Sequence, residues 1–279
     1  MIEADGYVRS RLVTAARRRQ SQRCRATSLG ILLVFLAVPL YSQAQSFDAA
    51  RAAGLQLPPR LGITLTVYDQ RQGYDIQSLD VGIPGIDLSQ ANGLKVDNRT
   101  DTTHLMVDYW VLPFLNVFAL GGTVEGKTRV SLSNVDLGVP LQLNDLRIDY
   151  SGTVYGGGFT LAGGWHRTFE TLTYEYTKTS LDVTTSSIKA WVATLKVGYQ
   201  VDGGAVWVGA MYQDTQERDQ GVYTMPYFGT FPFSVEFKQA KPLNYLLGAT
   251  AGIGQHWTLM MEAGFGGRDS AMLTLGYRY

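Results

Sequence analysis

His104 and Asp108 lie in the alternating segment Thr102–Val111, on the same face, and a histidine served by a carboxylate is a common means of moving a proton. Four strand residues separate them by about 13 Å, too far for a direct dyad. Asp101 and His104 form the nearest alternative pair. Glu125, Glu175, Lys196, Glu262 and Arg278 stand at comparable positions of other alternating segments, on faces rich in glycine and threonine. Charges of both signs on one such surface have two uses. They pair into an interior polar network with His104 and Asp108, or they line a narrow water path for small solutes. The network is the favoured expectation, and no catalytic residue is expected.

Other chemistries lack their residues. Cys24 is the single cysteine and precedes the long apolar run, which leaves no thiolate downstream for catalysis or metal binding. No spacing suits a metal, and the glycines of YGGGFTLAGG alternate as a strand instead of forming a phosphate loop. Neither a metal nor a cofactor is expected.

The elements that must position these residues read as strands. Charged residues are only 17 %, with 31 Gly and 16 Tyr, a composition that favours sheets with crowded glycine faces. Ten segments of about ten residues alternate apolar and polar from Leu61 to the last residue. In Leu61–Gln70 the apolar set is Leu61, Ile63, Leu65 and Val67; in the segment from Asn116 it reads as Phe118, Leu120 and Val124, opposite Ala119, Gly121, Thr123 and Glu125. Short turns (113–115, 163–167, 201–204, 252–255) alternate with longer connections (72–98, 127–149, 218–234). Trp191 and Tyr199, eight residues apart on one face, span about 26 Å, or about 20 Å along the axis of a tilted barrel, as two aromatic girdles would. The fold expected is all-β: a transmembrane up-and-down antiparallel β-barrel of about ten strands, its apolar face toward lipid.

The N-terminal region supports export. Seven arginines against Glu3 and Asp5 give the first 44 residues a net charge of +5, leaving −5 for the rest. An apolar run and the small residues up to Ala44 follow, the order of a secretory signal peptide and not of a nucleic-acid arm. Residues 1–44 are therefore expected to be a removed signal, 45–60 a short periplasmic leader and 61–279 the barrel.

With the signal, the ten segments, the DYWVLPFLNVFAL hairpin and the ending SAMLTLGYRY, the chain resembles small Gram-negative outer-membrane β-barrel proteins. The resemblance implies export through the Sec pathway to the outer membrane and contact with its lipid and lipopolysaccharide. It also implies recognition of Leu273, Leu275, Tyr277 and Tyr279 by the barrel assembly machinery. Nucleic acid is not an expected partner. A porin-like, non-enzymatic barrel follows, structural, surface-contacting or a narrow channel. Outer-membrane proteases and lipid-acting enzymes are the alternative, although no segment matches their motifs. The aromatic stretch 221–237, with Tyr223, Tyr227, Phe228, Phe231 and Phe233, is read as a packed loop or hairpin above the bilayer, and a third functional reading takes it as a contact site for an apolar ligand or lipid.

Overall fold

The structure, a computed structural model, describes residues 47–48, 59–81, 95–131, 146–182, 187–225, 229–239 and 241–279. The signal region, most of the leader, Tyr227 and Phe228 lie outside them. Eleven strands form one sheet: β1 (Leu61–Val81), β2 (Lys95–Leu112), β3 (Leu115–Ser131), β4 (Leu146–Trp165), β5 (Thr168–Leu181), β6 (Ser187–Val201), β7 (Gly204–Met225), β8 (Gly229–Gln239), β9 (Leu243–Ile253), β10 (Trp257–Phe265) and β11 (Arg268–Arg278). Every pairing is antiparallel, and β11 pairs with β1 from Gly62↔Arg278 to Gln72↔Arg268, which closes the sheet. Strands β8 and β9 run end to end as one stave, since β7 pairs with β9 at Gly204–Tyr212 and with β8 at Glu217–Met225. The result is a closed, all-β, antiparallel barrel of ten staves. One circuit of the register climbs about twelve residues along β1, which tilts the strands about 40°.

The outer surface carries the apolar set. Leu65, Val67, Leu105, Val107, Val206, Val208, Leu247, Met261 and Leu273 are all exposed although large and apolar. Each such side chain left in water forgoes about 1.5–3 kcal/mol, so a continuous belt of them is suited to lipid. Aromatic residues mark one rim of the belt at the short turns. Tyr277 packs against Trp257 and Tyr279 with ring centroids 4.9 and 4.8 Å away, and Tyr279 donates its backbone N–H to Leu61 O at 3.1 Å. At the other rim the outward positions turn charged. The rows Asp69↔Asp101↔Glu125 and Arg71↔Arg99↔Lys127 form a collar around β1–β3.

Three expectations are corrected. The strands at the collar end run well past ten residues, with β1, β4 and β7 spanning 21, 20 and 22. Above the belt neither face is apolar, so alternation fades from the sequence while backbone pairing continues. Much of 218–234 is likewise strand, so that of loop or hairpin it is the hairpin: Tyr223 pairs with Phe231, and Gly221 with Phe233, across β7 and β8. Third, β3 presents the opposite face from the one its apolarity suggests. Its pairing Val107↔Ala119 places Val117, Ala119, Gly121 and Thr123 outward, and Leu120 and Val124 are buried in the lumen.

The wall also changes along its length. Strands β10 and β11 are short and end in a tight turn at Gly266, whose φ of 106° suits glycine. Beyond that turn β1 pairs directly with β8, from Tyr74↔Gln239 onward. The β10–β11 hairpin is thus a wedge between β1 and the β8–β9 stave, and the barrel has ten staves around the belt and eight beyond it.

Candidate functional site

The lumen holds the polar residues in rows that cross three strands, and the middle strand of each row contributes glycine. In the row nearest the short turns, Arg278 on β11, Gly62 on β1 and Asp108 on β2 are register neighbours. Arg278 Nη2 reaches Asp108 Oδ1 at 2.7 Å over Gly62, and Asn116 Nδ2 donates to Asp108 Oδ2 at 3.2 Å. A Cβ at position 62 would collide with the Asp108 carboxylate. The ion pair therefore staples the seam between the first and last strands.

The second row pairs Trp207 on β7 with Gly248 on β9 and Glu262 on β10. Trp207 lies across Gly248, where its ring fills the space of a side chain, and donates Nε1–H to Glu262 Oε2 at 2.8 Å. Lys196 Nζ meets the same oxygen at 2.5 Å and sits 5.2 Å from the Trp207 ring centre. The third row is neutral. Tyr150 on β4 lies over Gly126 on β3, and its hydroxyl bonds Asn98 and Thr100 of β2 at 2.9 and 3.0 Å. Asn98 Nδ2 also donates to Thr128 Oγ1 at 2.9 Å.

Of the residues expected to form the network, the structure brings Asp108 to Arg278 and Lys196 to Glu262, in two separate rows. Glu175 faces the lumen between Gly158 and Val192 and makes no ion pair among the described residues. His104 faces the lumen on β2, half-buried, while Asp108 is already engaged. Asp101 is exposed on the opposite face of that strand, so it cannot serve His104. Glu125 is the correction: it is exposed on the outside of β3 opposite Asp101, because the whole β3 face is reversed relative to its reading as apolar-out.

The sequence reading missed Trp207, Tyr150, Asn98 and Arg268. Arg268 was within reach, since the inward set Arg278, Gly276, Thr274, Met272 and Ser270 continues to it in steps of two. It is 3 % exposed. Asn244 holds the wedge tip beside it, its Oδ1 accepting the backbone N–H groups of Gly267 and Arg268, both at 3.1 Å.

Outside, Arg99 Nε donates to Asp69 Oδ2 at 2.9 Å in the charged collar. The hydrogen bond that Asp101 shares with Asp69 raises the Asp101 carboxyl above its ordinary value, with partial burial and the Asp69 charge adding to it. The described residues hold no cluster of three or more His, Cys, Asp or Glu suited to a metal ion, and no helix among them is long and apolar enough to cross a membrane.

Lumen exposure is uneven. Thr66, Asn98, Asp108, Leu120, Trp207, Leu246, Glu262 and Arg268 are buried, so side chains fill the β7–β3 side. Thr171, Thr173, Glu175 and Thr177 of β5, with Gly156 and Gly158 of β4, remain partly open.

No family model and no curated protein matches this sequence. Among solved structures it is similar to the outer-membrane protease OmpT of Escherichia coli, at 8 % identity and a TM-score of 0.46 over 81 % of this chain and 99 % of that one. It is also similar to an outer-membrane channel of Pseudomonas putida F1 (13 %, TM-score 0.36, 80 % and 96 %). A third likeness is to the translocator domain of the autotransporter NalP of Neisseria meningitidis (12 %, TM-score 0.35, 93 % and 98 %). A protease, a channel and a translocator are three different roles, and at these identities and TM-scores none passes to this chain.

Proposed function

We propose that this chain is a non-enzymatic barrel of the Gram-negative outer membrane, with a filled lumen that leaves a narrow path for small solutes along β4–β6. The observation that carries the reading is the division of the two surfaces. Large apolar side chains are exposed outside, while charged and amide side chains are buried inside. A soluble barrel would reverse that division. The burial of Asn244, Arg268, Asp108 and Glu262 supports a plugged lumen, since an open pore would wet them. The Gly–Thr surface of β4 and β5 is the remaining polar path.

In this reading residues 1–44 direct Sec-dependent export, and the assembly machinery reads the strand bearing Leu273, Leu275, Tyr277 and Tyr279. The belt meets lipid and the collar meets lipopolysaccharide.

Purified full-length protein in planar bilayers is the test. Small conductance steps are expected, reduced further by Thr173→Trp. Silence indistinguishable from empty bilayers removes the solute path, and steps of wide-porin size remove the filled lumen. A hydrolytic activity that vanishes in His104→Ala would overturn the non-enzymatic reading.

A further inference from the structure

Most charges in the lumen are compensated, which makes Arg268 stand apart. Its guanidinium is buried among neutral groups: Gln213 Oε1, and Gln70 Oε1 at 3.5 Å, each contacting Nη1, with the Tyr68 hydroxyl also beside it. Among the described residues Nε and Nη2 have no hydrogen-bonded acceptor, Asn244 Nδ2 nearby also lacks one, and Gln72 Oε1 on the register neighbour is an acceptor without a donor. No carboxylate among the described residues lies within ion-pair distance of Arg268. Burying a cation without a counter-charge is costly, and a protein normally neutralises or pairs it; arginine cannot lose its proton.

The unfilled edge has a definite shape. Nε–H and the adjacent Nη2–H point the same way from a planar guanidinium, the edge that accepts two oxygens of one carboxylate or phosphate side by side. The backbone beneath it is fixed, because Asn244 Oδ1 holds the N–H groups of Gly267 and Arg268 at the wedge tip. A pinned backbone, an occupied Nη1 and a vacant two-donor edge make a preorganised receptor.

We propose that Arg268, at the point where the barrel passes from ten staves to eight, is a binding site for an oxyanion, a carboxylate or phosphate group on a small molecule entering the lumen. The site stands apart from solute passage, since binding at equilibrium is read without any current.

The experiment titrates sodium acetate, sodium phosphate and sodium chloride separately into the full chain folded in zwitterionic detergent micelles, followed by calorimetry. Saturable binding of one anion per chain is expected for acetate or phosphate and not for chloride; which of the two binds tighter identifies the group. Arg268→Gln should weaken binding at least tenfold, and Arg268→Lys, which keeps the charge without the two-donor edge, should also weaken it about tenfold. Gln213→Glu supplies an internal carboxylate, so it should abolish anion binding while raising the temperature at which the folded band is lost on gels. This variant decides the matter where Arg268 substitutions fail to fold. Absence of saturable binding to the unsubstituted chain overturns the proposal, as does binding unchanged in Gln213→Glu or in folded Arg268→Gln.

Discussion

Lys196, largely covered, and Arg268, buried, are both cations of the same lumen, yet their surroundings differ in kind. Lys196 meets Glu262, which also accepts from Trp207, so one carboxylate serves two donors and the row is complete. Arg268 meets only neutral groups among the described residues, the amide oxygens of Gln213 and Gln70 on Nη1 and the nearby Tyr68 hydroxyl. The first cluster lies where ten staves surround the lumen, and its partners come from β6, β7 and β10, all present at that level. The second lies at the tip of the β10–β11 wedge, where β10 has ended and its inward positions no longer supply partners. Compensation of a buried charge here follows from how many strands pass the level at which it sits.

The largest effect should come from breaking the geometry that completes the Lys196 row. Gly248→Leu would force a side chain into the space of the Trp207 ring. Displacing that ring removes the hydrogen bond to Glu262 and overpacks the wall, an expected loss of about 3–5 kcal/mol or failure to fold. Urea titration of the barrel in phospholipid vesicles, read by gel mobility, measures it. The same substitution at Gly203, a turn residue whose open surroundings offer no clash but whose φ is 81°, should cost clearly less.

Glu262→Gln comes next and tests the pair itself. It leaves Lys196, whose side chain is 20 % exposed, without its carboxylate, and about 3 kcal/mol should be lost. Replacing both charges, as Lys196→Met with Glu262→Gln, should recover most of that loss, since no buried charge is left uncompensated and the Gln amide oxygen still accepts from Trp207. If the double variant is as unstable as the single one, completion of the row is not what stabilises it, and the contrast with Arg268 loses its basis.

The sequence makes the two-face pattern of most strands readable, because lipid and lumen demand opposite residues at every second position. Strands β9, β10 and β11 follow this closely, and Leu247, Met261 and Leu273 are outward as alternation implies. Strand β3 does not, since its inward Phe118, Leu120 and Val124 are more apolar than its outward Ala119, Gly121 and Thr123. Periodicity separates two faces without labelling them; only the register with β2 assigns them. The same limit put Glu125 in the lumen and hid Trp207. The break between β8 and β9, and with it the wedge that isolates Arg268, depends on pairing between residues as distant as Tyr74 and Gln239, for which local sequence carries no mark.

The smallest expected effect lies outside the belt, where charges are wet. Asp101 is exposed, and its hydrogen bond with Asp69 raises its folded-state pKa above the ordinary 3.8. An acid whose folded value is raised is destabilising when ionised. The penalty is therefore complete above the folded value, shrinks as pH falls through it, and is gone below about 3.8, where Asp101 is protonated in both states. Asp101→Asn should accordingly stabilise the barrel slightly at pH 7, by no more than about 0.5 kcal/mol given solvent screening, and by nothing at pH 3. Unfolding at the two pH values distinguishes this from the lumen variants. The Glu262 carboxylate is buried against Lys196 and answers to its partner, whereas part of the Asp101 shift is the exposed charge of Asp69, so adding 1 M salt should shrink the Asp101 effect and leave that of Glu262→Gln standing.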